Sequence, residues 1–188
     1  MFSTFTPPQS SIALTFVTAG LIIQGTVQTR FRRAEELFNQ HDVLHLVVLE
    51  AIFLELGSRR VMAEAAVAQV ALEDVLFAHT SGPAESAAAM RVPKQPVRAT
   101  LLLPPFTVTG EIQLAHESEM RIAMEAYEGR FMPVSPASYW GYNVAESPVQ
   151  VDLLLVNHAK AHIAVSSTSE WRSEAPQLDK SKDLQNPW

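Results

Sequence analysis

Apolar and polar positions alternate with a period of two through much of this chain, and the alternation comes in two matching blocks. Ile12 to Thr29 reads IALTFVTAGLIIQGTVQT, and Arg98 to Leu114 reads RATLLLPPFTVTGEIQL. Each block is interrupted at its middle, by Ala19-Gly20 in the first and by Pro104-Pro105 in the second. Alternation with a central breaker predicts a β-hairpin. The period then changes. Arg33 to Asn39 (RAEELFN) and Ser118 to Tyr127 (SEMRIAMEAY) predict short helices. Extended runs follow, Val43 to Leu54 and Phe131 to Tyr142, then Val61 to Ala78 and Val149 to Val165. One stretch, AEAAVAQVAL at residues 63–72, has the composition of a helix. Its counterpart in the second block, VQVDLLLV, is strand-like, and the parallel placement predicts a strand for both.

The two blocks thus share an order of elements at a near-constant offset, which predicts a tandem duplication. Thr15 falls on Thr100, Ile23 on Val108, Gly25 on Gly110 and Val27 on Ile112. Later, Leu46 falls on Met132, Val48 on Val134, Ala51 on Ala137, Val70 on Val156, Phe77 on Ile163 and Ala78 on Ala164. The expected division is a first β unit at 1–80, a linker at 81–96, a second β unit at 97–167 and a polar tail at 168–188. The linker (SGPAESAAAMRVPKQP) is rich in Pro, Ser, Gly and Ala. The expected core is Ile23, Val27, Val48, Phe77, Val108, Ile112, Val134, Val156 and Ile163. Val43 to Leu54 is read as apolar on both faces, as in a strand covered on both sides.

Composition narrows the function classes. Hydrophobic residues make up 47% and charged residues 18%, enough apolar material for a packed core. The net charge is −6 with a pI near 5.5, which disfavours general nucleic-acid binding unless basic residues cluster. The 188 residues include no cysteine, which excludes disulfides, thiolate nucleophiles and zinc-cysteine sites. The apolar stretch from Ser11 to Ile23 is broken by Thr15, Thr18 and Gly20, so it reads neither as an export signal nor as a membrane span. The expected location is the cytoplasm, with no membrane contact.

Several polar clusters are candidates for chemistry. Asn157, His158, Lys160 and His162 form the densest one; two imidazoles and an ammonium can hold an anion, or the two histidines can ligate a metal. As a polar turn, the same segment would have Asn157 bonding its own backbone. Arg30, Arg32 and Arg33, with Phe31, can clamp a phosphate or stack a base, or flank a helix start balanced by Glu35 and Glu36. His41, Asp42 and His45 lie at a loop-to-strand transition, and alternation sends Asp42 and His45 to opposite faces. Tyr139, Trp140 and Tyr142 form an aromatic strand end. No nucleophile elbow, phosphate loop or dinucleotide fingerprint is present. No cofactor and no metal site is expected.

The segment Leu155-Val156-Asn157-His158-Ala159-Lys160-Ala161-His162-Ile163 resembles the second signature motif of Sm-like proteins: a strand ending in Val-Asn, a tight turn, and a short last strand. Gly110-Glu111-Ile112 and Gly25-Thr26-Val27 resemble the glycine of the first motif, which permits a strongly bent strand. The resemblance spans both blocks and implies a mainly β fold with short helices: two tandem Sm-like small barrels related by pseudo-two-fold duplication. It is similar to uncharacterised bacterial members of that family. The positions of the family's RNA-reading residues hold Ala115 to Glu119 and Asn157-His158 in the second block, and Arg30 to Arg33 and Ala71-Leu72 in the first, so neither block keeps the RNA set. The expectation is a non-enzymatic binding or scaffold protein that self-associates, as a dimer or a closed ring of pseudo-dimers. The competing expectations are a nucleic-acid-binding protein in the Sm manner and a small-molecule enzyme using the 157–162 turn.

Overall fold

A computed structural model describes residues 10–80, 94–115, 120–141 and 147–165. The expected linker as far as residue 93, Tyr142 and the expected tail at 168–188 lie outside the described residues. The fold is mainly β, as expected. The first half carries β1 (Ser10–Thr18), β2 (Leu21–Thr29), α1 (Ala34–Phe38), β3 (His45–Glu55), β4 (Val61–Ala71) and β5 (Val75–Thr80). The second carries β6 (Lys94–Leu103), β7 (Phe106–Ala115), α2 (Met120–Glu125), β8 (Phe131–Gly141), β9 (Val149–Val151), β10 (Leu154–Asn157) and β11 (His162–Val165). The segment with helical composition is indeed the strand β4. β6 begins at Lys94, inside the stretch read as a linker, and Lys94–Pro96 pair with Gln113–Ala115.

All eleven strands belong to one open antiparallel sheet. Its order is β11-β6-β7-β8-β10-β5-β1-β2-β3-β4, with β9 pairing β8 off this path. Within the first half the order is β5-β1-β2-β3-β4, and within the second β11-β6-β7-β8 followed by β9 and β10 on the far side of β8. The halves are joined where β10 pairs β5, with Leu155 opposite Ala78. The ends of the sheet are β11 and β4.

Both halves are bent at the same place. The β2–β3 register shifts between Gln24 and Thr26, and the β7–β8 register between Gly110 and Ile112. A Cβ on Gly25 would lie 2.5 Å from Val48 Cγ1 and 2.8 Å from the Leu49 carbonyl; on Gly110 it would lie 2.5 Å from Val134 Cγ1 and from the Pro136 carbonyl. Glycine is required there because the neighbouring strand backbone fills the space of a side chain. In the second half the fourth strand is split into β9 and β10. The gap lies opposite Ser135 and Pro136, where proline offers no ladder donor.

Two cores form. One, around Phe16, Phe38, Val48 and Leu72, is built mainly by the first half but includes Phe131 and Leu155 of the second. The other, around Leu101, Val108, Ile112 and Val134, is built mainly by the second half but includes Val17, Ile22, Leu56, Leu76 and Phe77 of the first. Central strands therefore face a core on each side, and the first four residues of β5 and all four of β10 are buried. Of the nine expected core residues, eight are buried. Ile163 is only half-buried, because β11 is an edge strand. The reading of Val43 to Leu54 is corrected: β3 alternates, burying Leu46 and Val48 and exposing Val47 and Ile52. Phe16 pairs Ala78 in β1–β5, and Leu101 pairs Ile163 in β6–β11.

Candidate functional site

The joint between the halves gathers most of the unusual polar groups. Asn39 of the first half donates from Nδ2 to the Phe131 carbonyl (2.9 Å) and accepts from the Phe131 amide (2.8 Å). Arg130 Nη1 donates to the Val43 carbonyl at 2.7 Å. Asn157 Nδ2 donates to the Val75 carbonyl at 3.0 Å, and its Oδ1 is buried without a partner. Asn157, expected to bond its own backbone in a turn, is thus a buried clasp across the joint.

The rest of that cluster is dispersed. His158–Lys160 form a single 3₁₀ turn, and His162 opens β11 with its side chain exposed. His158 packs its ring on Tyr127, centroids 5.3 Å apart, and burial pulls its pKa down. Burial, with the Glu35 charge, pushes the Tyr127 phenol well up, against an opposing hydrogen bond from Asn39. Lys160 is exposed. Arg30 lies over the Phe31 ring at 5.1 Å, Arg33 is the N-cap of α1 without a side-chain capping bond, and Arg32 is exposed. Among the described residues no hydrogen bond or ion pair links the arginines to the 157–162 cluster. His41, Asp42 and His45 are all exposed. Among the described residues no group of three potential metal ligands converges, and no helix is long and apolar enough to cross a membrane.

Sequence reasoning missed a cavity of about 120 Å³ on the joint. Thr15 and Gln24 enter it from β1 and β2, Arg59 from the β3–β4 turn, and His79 from β5; Phe106 and Tyr139 close it from the second half. Tyr139 is 6% exposed and Thr15 5%. Phe77 supports the Tyr139 ring from below, centroids 4.8 Å apart, and the His79 ring lies 6.1 Å from it. Burial pushes the Tyr139 phenol up, and the charge of Arg59 partly offsets that. Burial lowers the pKa of His79, whose Nδ1 sits 3.2 Å from the Thr80 carbonyl. His79 also borders a broader groove of about 690 Å³ that reaches Arg98, Ser138 and Asp152. The one clue in sequence was a histidine in an otherwise apolar strand, VLFAHT.

A different feature marks the far end of the sheet. On β4, Val61, Met62 and Val67 are exposed, and beside them on β3 so are Val47 and Ile52. Most of β4 from Val61 to Gln69 is open on both faces. No family model, no curated protein and no solved structure matches this chain.

Proposed function

We propose that the chain is a non-enzymatic scaffold of two Sm-like repeats that assembles with further copies of itself through its sheet edges. One observation carries this: the joint inside the chain, where the last strand of the first half (β5) takes the fourth strand of the second half (β10) as its neighbour. The same kinds of strand remain at the two ends of the sheet, β4 as the fourth strand of the first half and β11 as the last of the second. A repeat of the internal joint between chains pairs β4 of one with β11 of the next. Such a contact is head-to-tail, and it closes a ring if the rotation permits. The composition of β4 supports the reading, since a long apolar edge is an invitation to pair unless charges guard it; its charge is the single Glu64. The shared strand order and the paired glycine bends support the duplication itself.

Light scattering at micromolar concentration tests this. The expected mass is a multiple of 20.7 kDa, and the double variant Met62→Lys, Val67→Lys is expected to return it to a single chain. A mass of one chain for the unaltered protein at every concentration overturns the proposal.

A further inference from the structure

The cavity on the joint joins a cation to buried hydroxyls that the protein leaves unused. Arg59 makes no ion pair or side-chain hydrogen bond among the described residues. The nearby acid of its own turn, Glu55, is engaged by Ser58 (2.5 Å) and by Arg60 (3.9 Å). The Tyr139 and Thr15 side chains, both at least nine-tenths buried, likewise find no hydrogen-bond partner among the described residues, although buried hydroxyls are ordinarily paired. Neither oxygen is sealed off, for among the described residues the sole fully enclosed orphan is Asn157 Oδ1; both residues line the cavity. Gln24 adds an amide donor at the rim. Among the described residues no Asp or Glu lines the space. A concave site that offers a guanidinium and several neutral donors, with no carboxylate, selects for negative charge. The available volume equals about four water molecules' share of liquid, which suits one compact polyatomic anion.

We propose that this cavity binds a small oxyanion of the phosphate class, held by Arg59 with Tyr139, Thr15 and Gln24 as neutral donors. The cavity draws on both halves, so the ligand bridges the internal joint. The site is independent of the edge pairing proposed above, and either can fail without the other. The oxyanion is either free phosphate or the phosphoryl end of a larger molecule reaching in from solvent.

Titration of the full chain with inorganic phosphate, followed by backbone amide NMR, tests the site. Saturable shifts confined to residues around 15, 24, 59, 79 and 139 are expected. Arg59→Gln is expected to weaken binding about tenfold or more, the size of losing a charge-assisted hydrogen bond, and Tyr139→Phe severalfold. Arg60→Gln, an exposed arginine next door, should leave affinity unchanged. Parallel titrations with glycerol phosphate and with acetate separate the sources: a tighter fit for the ester identifies a phosphoryl group on a larger molecule, and a tighter fit for phosphate identifies the free ion. Acetate binding equal to both overturns the phosphate assignment. Equal loss in Arg59→Gln and Arg60→Gln, or shifts that never saturate, overturns the site.

Discussion

β10 and β4 each pair with the third strand of their half, β8 and β3, and live in opposite surroundings. Each is hydrogen-bonded to the third long strand of its half in the same register, Val156 opposite Met132 and Val70 opposite Leu46. β10 has a second neighbour in β5, and all four of its residues are buried. β4 has no second neighbour among the described residues, and exposed apolar side chains run along it. The residue that clasps the joint, Asn157, stands opposite Phe131 as Ala71 stands opposite His45. A strand of one architectural type thus becomes core or surface according to whether a partner strand arrives. Apolar content alone does not decide it.

Substitutions at the joint and at the edge should therefore separate sharply. Phe77→Ala removes a fully buried ring packed against Phe106 (5.0 Å) and Tyr139, and should cost about 3–5 kcal/mol in urea denaturation. Val67→Ala, at 62% exposure on β4, should cost no more than about 0.5 kcal/mol in the single chain. Similar losses at both positions would erase the contrast.

Asn157 sharpens the comparison further. Asn157→Ala gives β10 the residue that β4 carries and should cost about 1 kcal/mol, because the lost bond to Val75 is partly offset by removal of the orphaned Oδ1. Asn157→Asp should cost more than Asn157→Ala at neutral pH, since it buries a charge with one donor gone. Urea midpoints of the three proteins give the order, and an Asp variant as stable as the Ala variant would show that water reaches the position.

The smallest effect concerns pH. Burial depresses the pKa of His79 in the folded chain below its ordinary value of 6.5. The unfolded chain then binds the proton more readily. The contribution of His79 is complete above pH 6.5 and is lost as the pH falls through the lowered folded value. His79→Gln should flatten this part of the acid limb in a stability-against-pH series. An unchanged slope would mean that the imidazole is fully hydrated.

Much of the strand layout was legible in sequence because hairpin partners are close and the period of two is strong. The turns at Ala19-Gly20 and Pro104-Pro105, the two helices and the bends at Gly25 and Gly110 all lie where the pattern points. β4 was legible only through its counterpart, since its own alanines favour a helix. The joint was not legible. β5 and β10 carry apolar residues on both faces, so they name no partner, and the clasp from Asn157 to Val75 spans 82 positions. The polar clusters misled for a related reason. The chain's most crowded polar segment, residues 157–162, is divided among a buried clasp, a 3₁₀ turn and an exposed edge. The cavity on the joint is assembled from one or two residues each of five strands and a turn, and only His79 and Tyr139 stood out in the sequence.

The placement of the joint also sets an order of events during synthesis. Chains emerge from the ribosome amino end first, and their units fold as they appear. Once β1 to β5 have been made, the first half can pair all its own strands, yet β5 remains uncovered until residues 154–157 are extruded. During that interval the nascent chain carries two open strand borders, Val75–Thr80 and Val61–Ala71, and among the described residues only the first is closed by later ones. Contacts so distant in sequence form slowly. The interval is therefore when neighbouring nascent chains on one message compete with β10 for β5, and an exchange of second halves between chains is the error to which this molecule is most exposed.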